Sequence, residues 1–414
     1  MPAPPPLHLA VALDGAGWHP AAWRAPESQA ASLFTAGYWI DLVREAERGL
    51  LDLVTFEDAF ILQSTQFHSH DDRTDLVRGR LDAVLLAARV APHTRHIGLA
   101  PSTVITHSEP FAVASAIATL DHITSGRAGW RAQGAGRNHE AGHFGRREIP
   151  PLSVADLEAP EVLALMKDVF DEAAEFVEAA RRLWDSVEDD AEIRAVPAGR
   201  RSDPGGGGTH LDRRHIDRNR THPVDLEGSH WRVRGPATVP RPPQGQPVVV
   251  GLAHVTIPYR LAARAYDVVF VTPHEVEHIR PIIDEIRFEQ DAAGRGDQTL
   301  HIFGDLIVFL DADGARAADR KARLDDLAGT PLVSDARVFA GTAGELADLL
   351  LAWRDAGLTG FRLRPGVAAA DVEGISRLLV PELRRRGAFR SAYEADTLRG
   401  LLGLPHPANR FVTA

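Results

Sequence analysis

The stretch HIGLAPSTVI (residues 96–105), continued by PFAVASAIATLDHITSGR (110–127) and AGWRAQG (128–134), decides the fold. The first and last segments are short apolar runs of the kind that form buried strands. The middle segment is an apolar helix with a proline at its start, where proline is tolerated. A strand, a helix and a second strand in this rhythm predict a parallel βαβ unit with a right-handed crossover.

The same rhythm extends along the chain in both directions. Further predicted strands cover 7–13, 51–58, 246–252, 267–273, 300–310 and 360–364. Predicted helices cover 38–50, 81–94, 166–187, 259–266, 275–293, 343–357 and 372–387. About eight βα units favour an α/β fold of the (β/α)8 TIM-barrel type. A doubly wound open sheet is disfavoured, because no early G-x-G-x-x-G follows a strand.

One segment interrupts the pattern. Residues around 188–245 contain DPGGGGTH and PRPPQGQP, which are typical of loops and flexible connections. We interpret them as an inserted excursion of a single barrel domain that spans residues 1–414. Residues 388–414 are interpreted as a C-terminal extension of that domain.

Composition excludes several classes of function. The formal net charge of −11 argues against a nucleic-acid or anionic-membrane partner, because both require a basic surface. The absence of cysteine excludes disulfides, thiolate metal sites and cysteine nucleophiles. No run of about 18 apolar residues and no signal peptide are found in the sequence. We therefore expect a cytoplasmic protein.

Two histidine-rich strings raise the alternative of a metal site. HEAGH (139–143) fits the zinc-protease motif H-E-x-x-H, which requires a helix that places both histidines on one face. Glycines within and around the string favour a loop instead. FHSHDD (67–72) offers imidazole and carboxylate groups, but in no recognised ligand spacing, and is interpreted as a solvated loop. We expect no metal.

Several longer strings resemble a known family. YWIDLVREAERGLLDLVTFED (38–58), LDHITSGRAGW (120–130), LWDSVEDDA (183–191) and RGPATVPRPPQGQP (234–247) are similar to the bacterial luciferase-like flavin monooxygenases. The branch with nitrilotriacetate and dibenzothiophene-sulfone monooxygenases resembles the chain most, and the likeness covers nearly all of it.

The resemblance implies a function and partners. It implies an enzyme that uses reduced flavin mononucleotide (FMN) and dioxygen to oxygenate a small organic substrate. The reduced FMN would diffuse from a separate NAD(P)H:flavin reductase, and the protein would be a homo-oligomer. The site would lie at the C-terminal ends of the barrel strands.

The resemblance also implies cofactor-binding residues. Asp58 matches an acid near the flavin ring, although an aspartate here is equally typical of a helix or turn cap. Ser102 matches a hydroxyl that bonds the flavin, with Thr103 beside it. Arg131 stands where the family has asparagine. It would either pair with a flavin phosphate or substrate acid, or fill the place of the flavin. No catalytic residue is assigned.

Other cofactor positions depart from the family. Met166 and Phe170 occupy a histidine and a tyrosine position, and their helical spacing is typical of core residues. His254 and Val255 replace two serines of the phosphate-binding turn, with Thr256 one position along. Pro258 replaces a glycine and removes an N–H donor.

These departures leave three interpretations open. The enzyme binds FMN through new partners, with Arg131 and His254 as candidates; it uses a different cofactor such as a deazaflavin; or it is a non-catalytic barrel that has lost flavin chemistry.

Overall fold

The computed structural model describes residues 6–64, 72–134, 138–150, 159–192 and 216–412. In these ranges the chain forms one closed parallel barrel with helices around it, together with a small antiparallel hairpin. No helix in these ranges is long and apolar enough to cross a bilayer.

Eleven strands are assigned in the described ranges. They are β1 (His8–Leu13), β2 (Leu53–Phe56), β3 (Gly98–Val104), β4 (Gly129–Gln133), β5 (Val224–Glu227), β6 (Arg232–Gly235), β7 (Val248–Leu252), β8 (Val268–Val271), β9 (His301–Leu310), β10 (Arg337–Gly341) and β11 (Gly360–Pro365). The barrel runs β1-β2-β3-β4-β7-β8-β9-β11, and β11 pairs with β1 to close it. These are the eight predicted strands, so the (β/α)8 prediction is confirmed.

The helices lie around the barrel or at its ends. They are α1 (Ala36–Arg48), α2 (Ala83–Val90), α3 (Pro110–Thr124), α4 (Asn138–Phe144), α5 (Pro160–Asp185), α6 (Thr256–Ala265), α7 (Ile279–Ala292), α8 (Gly314–Ala328), α9 (Ala343–Asp355), α10 (Ala368–Gly374), α11 (Val380–Arg385) and α12 (Leu398–Leu401). A π-helical turn, Ile375–Leu379, joins α10 to α11 where the sequence predicts one continuous helix.

Some elements were not predicted. The excursion contains the antiparallel hairpin β5–β6. The additional strand β10 pairs with the C-terminal half of β9, residues 306–310. The prediction of a loop at HEAGH is wrong: these residues lie within α4. Glu140 and Ala141 are buried while Gly142 faces solvent, so tertiary burial outweighs the helix cost of the glycine.

The C-terminal extension seals the N-terminal end of the barrel. Leu398, Leu402 and Leu404 pack into one cluster with the inward-facing side chains of the strands, among them Ala10, Leu53, Ala100, Val248, Val268 and Phe303. The close approach requires Gly98, since a Cβ there would lie 2.6 Å from Leu398. This apolar plug forms the barrel floor, and only the opposite end is left for a site.

The family-like strings meet at the same floor. The Gln244 side chain donates to the carboxylate of Asp121 (2.6 Å) and to the carbonyl of Ala128 (2.8 Å), and its own carbonyl accepts from the Arg399 N–H (2.8 Å). Arg127 donates to the last carbonyl of α3, at Thr124 (2.9 Å). LDHITSGRAGW and PPQGQP are therefore scaffold that joins α3 and β4 to the floor.

Candidate functional site

Six charged side chains meet near the C-terminal ends of the barrel strands. They alternate in sign and come from five different parts of the barrel wall. We call them the arginine–carboxylate network: Glu57, Arg131, Asp305, Asp335, Arg362 and Arg364. In a β-strand, residues two apart face the same side, and so Arg362 and Arg364 on β11 both point into the barrel.

Asp305 is the centre of this network. It is fully buried on β9 and accepts from Arg362 (2.6 Å) and from Arg364 (2.5 Å). Burial alone would raise the pKa of Asp305. The two guanidinium groups outweigh burial and hold the pKa below its usual range. The aspartate is therefore ionised, and it neutralises charge that the two arginines carry into the interior.

Arg364 extends the network towards solvent. Its guanidinium bonds Asp335 through two nitrogen–oxygen contacts of 2.7 and 3.0 Å, and it stacks on the indole of Trp18 at 4.5 Å from the ring centre. Burial opposes the ionisation of Asp335, but Arg364 lowers its pKa well below the ordinary value. The charge of Arg364 is thus shared between two carboxylates.

Arg131 lies on β4 and is buried. Its Nη1 donates to Ser102 Oγ (3.0 Å) and to Gln133 Oε1 (2.5 Å), and lies 3.1 Å from Glu57 Oε2. Burial lowers the pKa of Arg131, and the carboxylate of Glu57 counteracts this. Its Nε is buried with no hydrogen-bond partner among the described residues. The structure therefore joins the predicted residues Ser102 and Arg131 around one unsatisfied donor.

Asp58 has a capping role in this structure. Its two carboxylate oxygens accept from the backbone N–H of Ala59 (2.8 Å) and of Ala83 (3.0 Å), the first residue of α2. Burial raises the pKa of Asp58, and these two N–H groups oppose the rise. The capping interpretation of Asp58 thus has a direct geometric basis, and its binding to flavin stays a prediction.

Thr103 faces away from the barrel interior. Its hydroxyl accepts from the indole N–H of Trp130 (2.7 Å), and Trp130 packs against Trp184 on α5. Adjacent residues of a strand point to opposite faces, so the side chains of Ser102 and Thr103 face different sides of the sheet. The structure places Thr103 in the layer between the strands and α5.

His254 and Thr256 lie at the start of α6. His254 Nδ1 is 2.8 Å from Thr272 Oγ1, and Nε2 is 3.5 Å from Asp335 Oδ2. Thr256 donates its hydroxyl to Glu285 on α7 (2.5 Å). Both side chains therefore already have partners, and an acid lies beside each of them.

The four apolar residues at family cofactor positions fall into two groups. On α5, Met166 is half-buried, and half-buried Phe170 packs against the main apolar core, as its helical spacing predicts. At the start of α6, Val255 is exposed, and Pro258 is buried in the first turn. None of the four supplies a polar side chain.

A cleft of about 320 Å³ opens at the C-terminal ends of β1 and β2. We call it the Trp18 cleft; its lining includes Asp14, Trp18, His19, Trp23, Ile61, Leu62, Gln63, Leu76, Val77 and Arg80. The backbone N–H of Trp18 donates to the carbonyl of Pro365 (2.9 Å), which fixes this loop to the end of β11. The cleft therefore adjoins the arginine–carboxylate network, with Trp18 between them.

His139 and His143 of HEAGH lie four residues apart on α4, within the described ranges. No group of three or more metal-ligating side chains occurs there. Residues 67–71 of FHSHDD lie outside those ranges.

The sequence signals for Glu57, Asp305, Arg362 and Arg364 were missed. Each is a charge within or directly after an apolar strand: FED at 56–58, FGDL at 303–306 and FRLRP at 361–365. Charges at inward-facing positions of neighbouring strands require opposite charges beside them. That rule would have paired these residues once the strand order was known.

Comparisons with known proteins agree with this architecture. Residues 17–349 match the family described as luciferase-like monooxygenase. The chain is similar to nitrilotriacetate monooxygenase component A of Aminobacter aminovorans, with 27% identity over 97% of both chains. It is also 27% identical to a dibenzothiophene-sulfone monooxygenase of Rhodococcus erythropolis, over 93% of both.

A solved structure shows the same fold. A long-chain alkane monooxygenase superimposes with a TM-score of 0.80 at 21% identity, covering 97% of this chain and 96% of the other.

Proposed function

Because the chain belongs to the luciferase-like monooxygenase family, we propose that it oxygenates a small organic substrate with reduced FMN and dioxygen. Reduced FMN, when bound, supplies the two electrons and two protons with which one oxygen atom enters the substrate and the other leaves as water. The observation that carries the proposal is the buried, unsatisfied Nε of Arg131 at the C-terminal side of a barrel of this family.

We expect the hydrogen-bonding groups around Arg131 to suit the polar edge of a flavin ring. A buried donor without a partner costs about 1–3 kcal/mol, and a ligand acceptor removes that cost. The polar edge of a flavin ring carries carbonyl oxygens and ring nitrogens that accept hydrogen bonds. Arg131 would donate from Nε to this edge, while Ser102 and Glu57 hold its Nη1 in place.

The phosphate would rely on the start of α6. The N–H groups of a helix's first turn and the helix dipole attract an anion. Here Pro258 offers no N–H, and Glu285 and Asp335 add negative charge beside Thr256 and His254. The described residues therefore fit the ring better than the phosphate, and we expect weak FMN binding compared with a site that has all its phosphate donors.

The carboxylates of the arginine–carboxylate network, together with Glu285, favour a second candidate function. Every arginine of the network has a carboxylate partner, and both predicted phosphate side chains are occupied. Because its arginines are already neutralised, such a barrel can stay folded without an anionic cofactor. The second candidate is thus a family member that no longer holds flavin, and a deazaflavin cofactor is the alternative to be tested beside it.

The proposal includes partners and a location. A separate NAD(P)H:flavin reductase would supply the reduced FMN, and the protein would act as a homo-oligomer in the cytoplasm. The absence of cysteine is consistent with this location. The net charge of −11 disfavours nucleic-acid or anionic-membrane partners.

A flavin titration tests the proposal. Purified protein is titrated by calorimetry with FMN, first oxidised and then reduced with dithionite under anaerobic conditions. Micromolar binding of reduced FMN supports the proposal, and a substrate search with a flavin reductase follows. Silence up to hundreds of micromolar, with a deazaflavin also silent, contradicts it and supports the non-catalytic alternative.

A further inference from the structure

We propose that the Trp18 cleft receives a neutral aromatic substrate that carries one hydrogen-bond donor, and that it rejects polycarboxylates. The inference rests on the proposed function, because it names the substrate class of the same barrel mouth. It separates this chain from a relative named for nitrilotriacetate, which is a polycarboxylate.

Part of the cleft wall is apolar and aromatic, and the rest is polar. Trp18 and Trp23 come from the segment after β1, with Trp23 in a 3-10 helical turn, and Ile61, Leu76 and Val77 come from the segment after β2. Both indole N–H groups are already used: Trp18 donates to the carbonyl of Ala12 (3.0 Å) and Trp23 to that of Asp75 (3.1 Å). The two rings therefore offer only their apolar surfaces, and a cleft of this size is suited to a one- or two-ring molecule.

Among the described residues that line the cleft, no positively charged side chain is unpaired. The two charged side chains in its described lining, Asp14 and Arg80, form a two-pronged ion pair with contacts of 2.9 and 2.7 Å. Arg364 lies behind Trp18 but is held by Asp305 and Asp335. A substrate with several carboxylates would enter without a partner for its charge, which strongly disfavours binding.

His19 does not change this balance. It is buried, its Nε2 contacts Asp325 (3.0 Å), and its Nδ1 accepts from the N–H of Ala21 (3.0 Å). These contacts fit the neutral ring with its proton on Nε2. Burial lowers the pKa of His19, although Asp325 opposes the shift, so the ring stays uncharged near pH 7.

Gln63 supplies the polar contact. Gln63 lines the cleft, and its side-chain carbonyl oxygen is buried and has no hydrogen-bond partner among the described residues. An acceptor of this kind recognises an N–H or O–H group of a ligand. A polar group beside apolar wall residues orients a ligand through the hydrogen bond that it accepts.

The test uses two fluorinated probes that differ by one methyl group. We would follow 5-fluoroindole and 1-methyl-5-fluoroindole by ¹⁹F NMR titration, with flavin absent and with excess oxidised FMN. We expect 5-fluoroindole to bind the wild-type protein about three- to tenfold more tightly, as one neutral hydrogen bond predicts. Nitrilotriacetate at millimolar concentration should leave the signal of bound 5-fluoroindole unchanged.

A variant pair assigns the effect to Gln63. In Gln63→Leu the two probes should bind equally, because the acceptor is gone. Gln298→Leu makes the same change at an exposed position, where Gln298 contacts Arg295, and should keep the wild-type difference. Equal affinities for both probes in the wild-type protein, or displacement of 5-fluoroindole by nitrilotriacetate, would overturn the inference.

The outcomes also distinguish this inference from the proposed function. If FMN titration is silent while Gln63 still discriminates between the probes, the cleft is assigned correctly and the flavin proposal fails. If reduced FMN binds but the two probes have equal affinities both with and without oxidised FMN, the flavin proposal stands and the substrate class is wrong.

Discussion

Replacing Arg131 with asparagine, the residue of the family at this position, tests the site most directly. In the folded protein the change removes the contacts with Ser102, Gln133 and Glu57. Breaking a buried ion pair costs about 3–5 kcal/mol when the remaining charge is left alone. Glu57 keeps Arg362 at 3.2 Å, so its charge stays compensated. We therefore expect Arg131→Asn to lower the free energy of unfolding by about 2 kcal/mol, as for lost charged hydrogen bonds.

The expected effect on flavin is a loss of affinity. If Nε of Arg131 donates to the flavin ring, its removal takes away one charged hydrogen bond, worth about 1.5–3 kcal/mol. That loss corresponds to an increase in Kd of roughly 10- to 150-fold. Arg131→Lys should fall between the two proteins, because it keeps the charge but not the Nε donor.

The assay is the anaerobic calorimetric titration with reduced FMN, paired with urea unfolding to show that each variant is folded. Arg280→Asn is the matched control, since Arg280 is exposed on α7 and its ion pair among the described residues is with Asp284 on the same helix. It should change neither property by more than about 0.5 kcal/mol. Tighter FMN binding by Arg131→Asn would refute the reasoning and show that the arginine fills the place of the flavin.

Four further substitutions probe the site and the barrel. Ser102→Ala should weaken reduced-FMN binding by less than Arg131→Asn in the same titration, because it removes one support of that guanidinium. Asp58→Ala should lower unfolding stability in urea by about 1 kcal/mol, as for a lost helix cap. Leu398→Ala should cost about 2–5 kcal/mol in the same assay, because it opens a cavity in the barrel floor. Burial lowers the pKa of His301 from 6.5 to about 4, so the unfolded chain takes up the proton first as the pH falls. Stability should therefore drop by about 2 kcal/mol between pH 7 and 5, and His301→Gln should abolish this part of the pH dependence.

The barrel was predictable because its strands are buried on both sides. A strand covered by helices outside and by the barrel core inside reads as a short apolar run, and the eight runs stand out between amphipathic helices. β10 lacked that signal, because it is an additional strand whose described partner is β9 alone, and its first four residues are half-buried. The hairpin β5–β6 alternates buried and exposed residues, and its short strands lie inside a proline-rich segment.

The site was predictable only in part. Ser102 and Arg131 were found through resemblance, and adjacent strands bring them together at paired register positions. The direction of Thr103 followed from strand alternation and could have been derived once Ser102 was placed inside. That the side chains of His254 and Thr256 already have acidic partners could not be derived from the sequence, because Asp335 and Glu285 come from distant segments.

The charge balance of the barrel mouth links stability to function. Three arginines in an interior of low dielectric are tolerated because Glu57, Asp305 and Asp335 neutralise them, so the loss of one partner alone would destabilise the fold. The same neutrality leaves little attraction for a free anion at this end of the barrel. A flavin would then be held chiefly by its ring and a substrate chiefly by apolar contact. Both expectations follow from the pairing of charges, and binding measurements on neutral and anionic ligands test both of them.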